Sequence, residues 1–223
     1  MRALPCLAFA VAMMPVAASA DAMQDQVLAS MRATRTTDVA FTMTTRAERS
    51  GSTAKTIVAR YDPRGGWTLA SIDGRPPTPK EQKDAAKNNA PPRGYASLAT
   101  WFGRPATRIG TSSTTATYRF AHLPAGTVKL GSHDASADCV ADAVVETGGA
   151  RPYVSHVRFT STAPFRMMLV AKVERFTITT AYAPMADGRV FPTAADTEFT
   201  GSMLGKAGTL STRTRFADVH SVR

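Results

Sequence analysis

The stretch "HDASADCVAD", residues 133–142, holds the densest set of side chains that could bind a metal or act as a nucleophile: His133, Asp134, Asp138, Cys139 and Asp142. On a helix Asp134, Asp138 and Asp142 would share one face, as carboxylate ligands to a cation would. Their spacing matches no zinc or calcium loop. The stretch reads more simply as a polar loop entering a strand at Cys139–Thr147, with Cys139 a small buried hydrophobe and no histidine positioned to activate its thiol. Serine hydrolase chemistry would need a G-x-S-x-G elbow, and the chain has none. The histidines at 122, 133, 156 and 220 are scattered. In "TYRFAH" and "HVRFT" arginine alternates with aromatic rings as on a single-strand stacking surface. Half-buried strands produce the same alternation. The residues therefore predict no catalytic group, metal, cofactor or nucleic-acid partner.

The elements that position these residues follow an expected leader. Arg2, the apolar run from Leu4 to Val16 and the small residues Ala18-Ser19-Ala20 have the pattern of a cleavable secretory signal over residues 1–20. Pro5 and Pro15 interrupt the run, which is shorter than the roughly 20 residues a bilayer core requires. An exported periplasmic protein starting at Asp21 is predicted. Cleavage would remove one arginine from a chain of formal charge +10 and leave about +9. In that compartment a basic balance points to anionic envelope surfaces more than to nucleic acid. Cys139 would then stand alone, so stability must come from burial rather than from a disulfide. Residues 21–223 are the length of one β domain, expected to be monomeric.

Period-two alternation dominates that domain. Phe41 and Met43 share a face of "DVAFTMTTR"; Ile57, Ala59 and Tyr61 share a face of "TAKTIVARYD". "DPRGG" turns the chain into "WTLASID", whose Trp67 and Leu69 should face inward. Tyr118, Phe120 and His122 share a side of the next strand, and Tyr153, Ser155, Val157 and Phe159 a side of a later one. Asp187-Gly188 marks a further hairpin, and "TLSTRTRFADV" is the last long strand. Eight to eleven strands with short turns predict a mainly β fold with some helix: a large antiparallel sheet that curls to cover its own apolar face, with a few short helices over it.

The covering elements fall in an excursion at about 76–102. Thr78-Pro79-Lys80-Glu81 is a helix start, with Thr78 as N-cap and Glu81 completing a capping box. This helix should end near Asn88–Asn89, before Pro91-Pro92, and only Ala85 and Ala86 are apolar on it. In "YASLATWF" Tyr95, Leu98, Trp101 and Phe102 recur at helical spacing and would form an aromatic plug over the sheet.

The tract "GGWTLASIDGRPPTPKE", the polar excursion, "YRF" and "HVRFTSTAPFR" resemble proteobacterial envelope proteins related to the lipoprotein-sorting LolA/LolB-like superfamily. The resemblance implies an unclosed antiparallel barrel with helices inserted as a lid, and a cavity that receives acyl chains. No cysteine follows the expected cleavage site, so the chain departs from the lipidated receptor of that group. The implied function is a periplasmic binder or carrier of lipid or lipidated protein. The alternative is a non-transporting interaction or sensing module on the same scaffold. The cavity and lid would then use Phe41, Met43, Ile57, Tyr61, Trp67, Leu69, Leu98, Trp101, Phe102, Tyr118 and Phe120.

Overall fold

The computed structural model describes residues 21–35, 37–87, 94–168 and 171–222. The expected leader, and the expected helix end at Asn88–Asn89 with Pro91-Pro92, lie outside the described residues.

Asp21 caps the first helix, α1 (Ala22–Ala33), by accepting from Met23 N–H at 3.0 Å. Then come strands β1 (Val39–Arg49), β2 (Lys55–Asp62) and β3 (Gly66–Ile72), helix α2 (Pro79–Ala86), a 3₁₀ turn (Tyr95–Leu98) and helix α3 (Ala99–Phe102). After these come β4 (Thr107–Thr111), β5 (Thr115–Phe120), β6 (Lys129–Leu130), β7 (His133–Asp134), a 3₁₀ turn (Ser136–Asp138), β8 (Cys139–Glu146), β9 (Tyr153–Ser161), β10 (Phe165–Met168), β11 (Ala171–Pro184), β12 (Val190–Met203) and β13 (Lys206–Ser221).

Eleven strands make one antiparallel sheet in the order β3-β2-β1-β13-β12-β11-β9-β8-β5-β4, with β10 paired to β11. The sheet is unclosed, with β3 and β4 as its edges, and β6-β7 form a separate small ribbon. The expected fold class is therefore the observed one. Register carries one set of side chains across the sheet: Trp67 opposes Tyr61, Tyr61 opposes Phe41, and Met43 opposes Phe216. On the far side Thr180 opposes Val157, Val157 opposes Ala143 and Ala143 opposes Tyr118. Since side chains alternate with period two, these residues share one face.

Among the described residues, helices cover only half of that face. Over β5, β8 and β9, Val27, Leu28 and Met31 of α1 pack with Tyr95, Leu98, Trp101 and Phe102 and with Tyr118, Phe120, Val145 and Val157 of the sheet. Gln24 of α1 donates to the carbonyls of Phe102 and Arg104, at 2.5 and 2.8 Å, and so holds α1 against the end of α3. Over β1, β2, β3 and β13 no helix among the described residues packs on the face, and there the buried Phe41 and Phe191 and the part-buried Tyr61, Trp67 and Phe216 pack on one another.

The polar helix α2 contributes no buried residue. Its capping box forms as the sequence predicts, with Thr78 Oγ1 accepting from Glu81 N–H and Glu81 accepting from Thr78 N–H. Arg75 grips the Glu81 carboxylate through two hydrogen bonds. Gln82 explains the placement of α2. Its amide accepts from Leu69 N–H at 3.1 Å and donates to Leu69 C=O at 2.8 Å, occupying the outer edge of β3 as a neighbouring strand would.

Two faces predicted by strict alternation need correction. In β9 a bulge lies opposite Val144 and Val145, and the consecutive residues Val154 and Ser155 are both buried. His122 lies beyond the end of β5 and is exposed.

Candidate functional site

The stretch at 133–142 forms no α-helix, only the 3₁₀ turn Ser136–Asp138 between two strands, and its aspartates serve three separate structural ends. Asp134 accepts from Gly126 N–H and from both Ser136 N–H and Ser136 Oγ–H, tying down the loop ahead of β8. Asp138 meets His133 Nε2 at 3.1 Å, and the His133 ring stacks on Phe165 with centroids 4.7 Å apart. Asp142 takes two hydrogen bonds of 2.7 Å from Arg119 on the neighbouring strand. Among the described residues no three His, Cys, Asp or Glu side chains stand where they could hold a metal. Cys139 is buried, and burial pushes its thiol up to about 12, helped by the charges of Asp138 and Asp134. Such a thiol is not a nucleophile at neutral pH.

The site with the form of a binding site lies between the aromatic plug and the sheet. The plug exists because Gly94 starts a 3₁₀ turn that α3 continues, setting Tyr95, Leu98, Trp101 and Phe102 on the sheet side. Tyr95 anchors it: its hydroxyl accepts from Val154 N–H at 2.8 Å beside the β9 bulge, and burial raises that hydroxyl to about 12. Trp101 meets Phe120 and Phe159 edge-on at centroid distances of 5.0 and 5.5 Å.

Where the plug stops, a cavity of about 250 Å³ remains beneath it, with Leu98, Trp101, Phe159, Tyr182, Pro192 and Phe216 supplying the larger walls. Most of its side-chain hydroxyl donors are already engaged. Ser97 Oγ donates to Gly94 C=O, Thr100 Oγ1 to Ser97 C=O and Thr127 Oγ1 to Pro124 C=O, while Tyr182 pairs with Thr180. A guest would find apolar walls and few unmet donors, so shape and apolar burial, rather than polar recognition, govern what fits.

The residues expected to line one cavity divide among several places. Leu98 and Trp101 line the cavity. Phe102 of the plug lies in solid packing with Tyr118 and Phe120, the three being 0, 1 and 0 % exposed. Phe41, Tyr61, Trp67 and Met43 belong to the aromatic cluster on the uncovered half of the face. Leu69 stands opposite Ala59 with its backbone held by Gln82, and Ile57 stands opposite Ile72; both are part-buried. Phe216 joins the two regions, since it lines the cavity and lies 5.6 Å from the Phe41 ring.

Sequence reasoning left out Tyr182, Pro192 and Ala195 as lining residues, and α1 altogether. α1 carried a legible signal, with Asp21 as N-cap and Val27, Leu28 and Met31 at helical spacing. No helix among the described residues is long and apolar enough to cross a membrane. No family model, no curated protein and no solved structure matches this chain.

Proposed function

We propose that this protein is a non-enzymatic binding or carrier protein of the periplasm for lipid acyl chains, free or on a lipidated protein, and that it holds them on the apolar face of the sheet. The observation that carries the reading is the continuity of the cavity under Leu98 and Trp101 with the aromatic cluster of buried Phe41 and part-exposed Tyr61 and Trp67, through Phe216. A volume of about 250 Å³ lies just below the roughly 300–1,000 Å³ of small-molecule pockets. A chain would start in the cavity and run out along the cluster, or displace the plug. Each methylene buried contributes about 0.8 kcal/mol, so a long chain needs no polar anchor. Periplasmic residence rests on the leader pattern of residues 1–20.

The test pairs two substitutions with a fluorescent fatty acid. Ala195→Phe fills the cavity and should abolish probe binding at a cost of about 1–3 kcal/mol for overpacking. Leu98→Ser loosens the plug, so the binding-competent fraction and the apparent affinity should both rise. A folded Leu98→Ser protein that ignores the probe, together with Ala195→Phe binding as the parent does, would sink the reading. Native mass spectrometry of protein taken from the periplasm supplies the independent check: a co-purifying lipid mass is the expected result.

A further inference from the structure

The β12–β13 turn breaks two rules at once. Met203 pairs with Lys206, so the loop is two residues, Leu204 and Gly205, with φ of 52° and 77°. Positive φ at both central residues is the hairpin geometry that favours Asn-Gly, and leucine is disfavoured at the first position. This leucine is also 74 % exposed, and Met203 beside it is 46 % exposed. The only other large hydrophobic so exposed among the described residues is Ile109 on edge strand β4. Beyond the Arg49–Leu210 pair, Lys206–Gly208 has no β1 residue opposite, so the tip runs past the end of strand β1.

The surroundings are basic. Arg49, Lys55 and Lys206 are exposed at this end of the sheet, and none makes an ion pair among the described residues. Of the acidic side chains here, Glu48 is taken up by Arg46 and Glu174 by Lys172, and Asp73 accepts from Thr56 N–H; Glu198, exposed and level with Glu48, is offset by the exposed Arg175, so cations still outnumber carboxylates at this end. Beside the tip's flank Arg46, Arg49, Ser50, Ser52 and Thr209, with Glu48 held by Arg46, border an open polar hollow of about 400 Å³.

We infer that the Met203–Lys206 turn is a wedge that inserts into an anionic bilayer surface. Two apolar side chains are far too little for a stable protein interface, which buries above about 1,000 Å². They suffice to dip into the headgroup boundary of a bilayer when cations beside them meet anionic lipid. The inference does not depend on acyl-chain binding, since the turn and the cavity share no residue.

The experiment is co-sedimentation of the mature protein with phosphatidylglycerol and with phosphatidylcholine vesicles. The parent should partition onto phosphatidylglycerol at low salt, weakly onto phosphatidylcholine, and less as salt screens the cations. Leu204→Asn suits the left-handed turn better than leucine, so its thermal midpoint should hold or rise while partitioning falls about tenfold. Lys206→Glu should weaken binding to phosphatidylglycerol alone. Ala195→Phe should leave vesicle binding intact; if it abolishes binding, the vesicles are held through the cavity and the wedge is overturned. Equal partitioning of Leu204→Asn and parent, or no partitioning of the parent, overturns it as well.

Discussion

Arg189 shows how much a single side chain joins in this fold. It donates to Arg35 C=O, Asp38, Asp187 and Ser221, linking the end of α1, the β11–β12 turn and the C-terminal end of β13. The Asp187 carboxylate is drawn down to about 2 from its ordinary 3.8, chiefly by the hydrogen bond from Arg189. A carboxyl with a lowered folded-state pKa contributes its stability above the unfolded value and loses it as pH falls through the folded one. The junction should therefore weaken between about pH 4 and pH 2. Urea midpoints measured across that window should fall more steeply for the parent than for Asp187→Asn, and parallel slopes would show that this contact carries no linkage. Asp187 was legible beforehand only as half of a turn signal. Its partners lie far away in sequence, so the network was not.

At the scale of elements, α2 answers why a helix with no apolar stripe folds here at all. Capping and the Arg75–Glu81 pair define its start, while Gln82 fixes it to the edge of β3. Gln82→Ala should cost about 1 kcal/mol for the lost hydrogen bonds. It should also speed hydrogen exchange at Leu69 N–H and raise self-association, because an uncovered edge strand is a template for pairing. Unchanged exchange at Leu69 in that variant would mean the amide is not what protects the edge. The capping box could be read from four consecutive residues because both of its bonds are local. The role of Gln82 could not, because it depends on the strand 13 residues earlier ending as an edge.

For the whole molecule, the division of one sheet face into a covered and an uncovered half sets the energetics. Phe120 is sealed beneath Trp101, so Phe120→Ala should cost about 3–5 kcal/mol. Trp67 lies on the uncovered half and is only part-buried, so Trp67→Ala should cost less, about 2 kcal/mol. Chemical denaturation of both variants checks the order, and equal losses would contradict a half-covered sheet. Alternation in strands such as Phe41-Met43 and Trp67-Leu69 was enough to fix the fold class and, away from bulges and strand ends, the face a side chain takes, because those choices follow from the backbone's period of two. Turn chemistry at Asp187-Gly188 and the cap at Thr78 likewise acted within a few residues. Three things were decided only by tertiary structure: where the plug stops, which strands α1 covers, and that Phe216 bridges cavity and cluster. Each depends on which of many similar apolar faces come together, and that is settled by strand order and by bulges such as the one in β9, which local pattern does not encode.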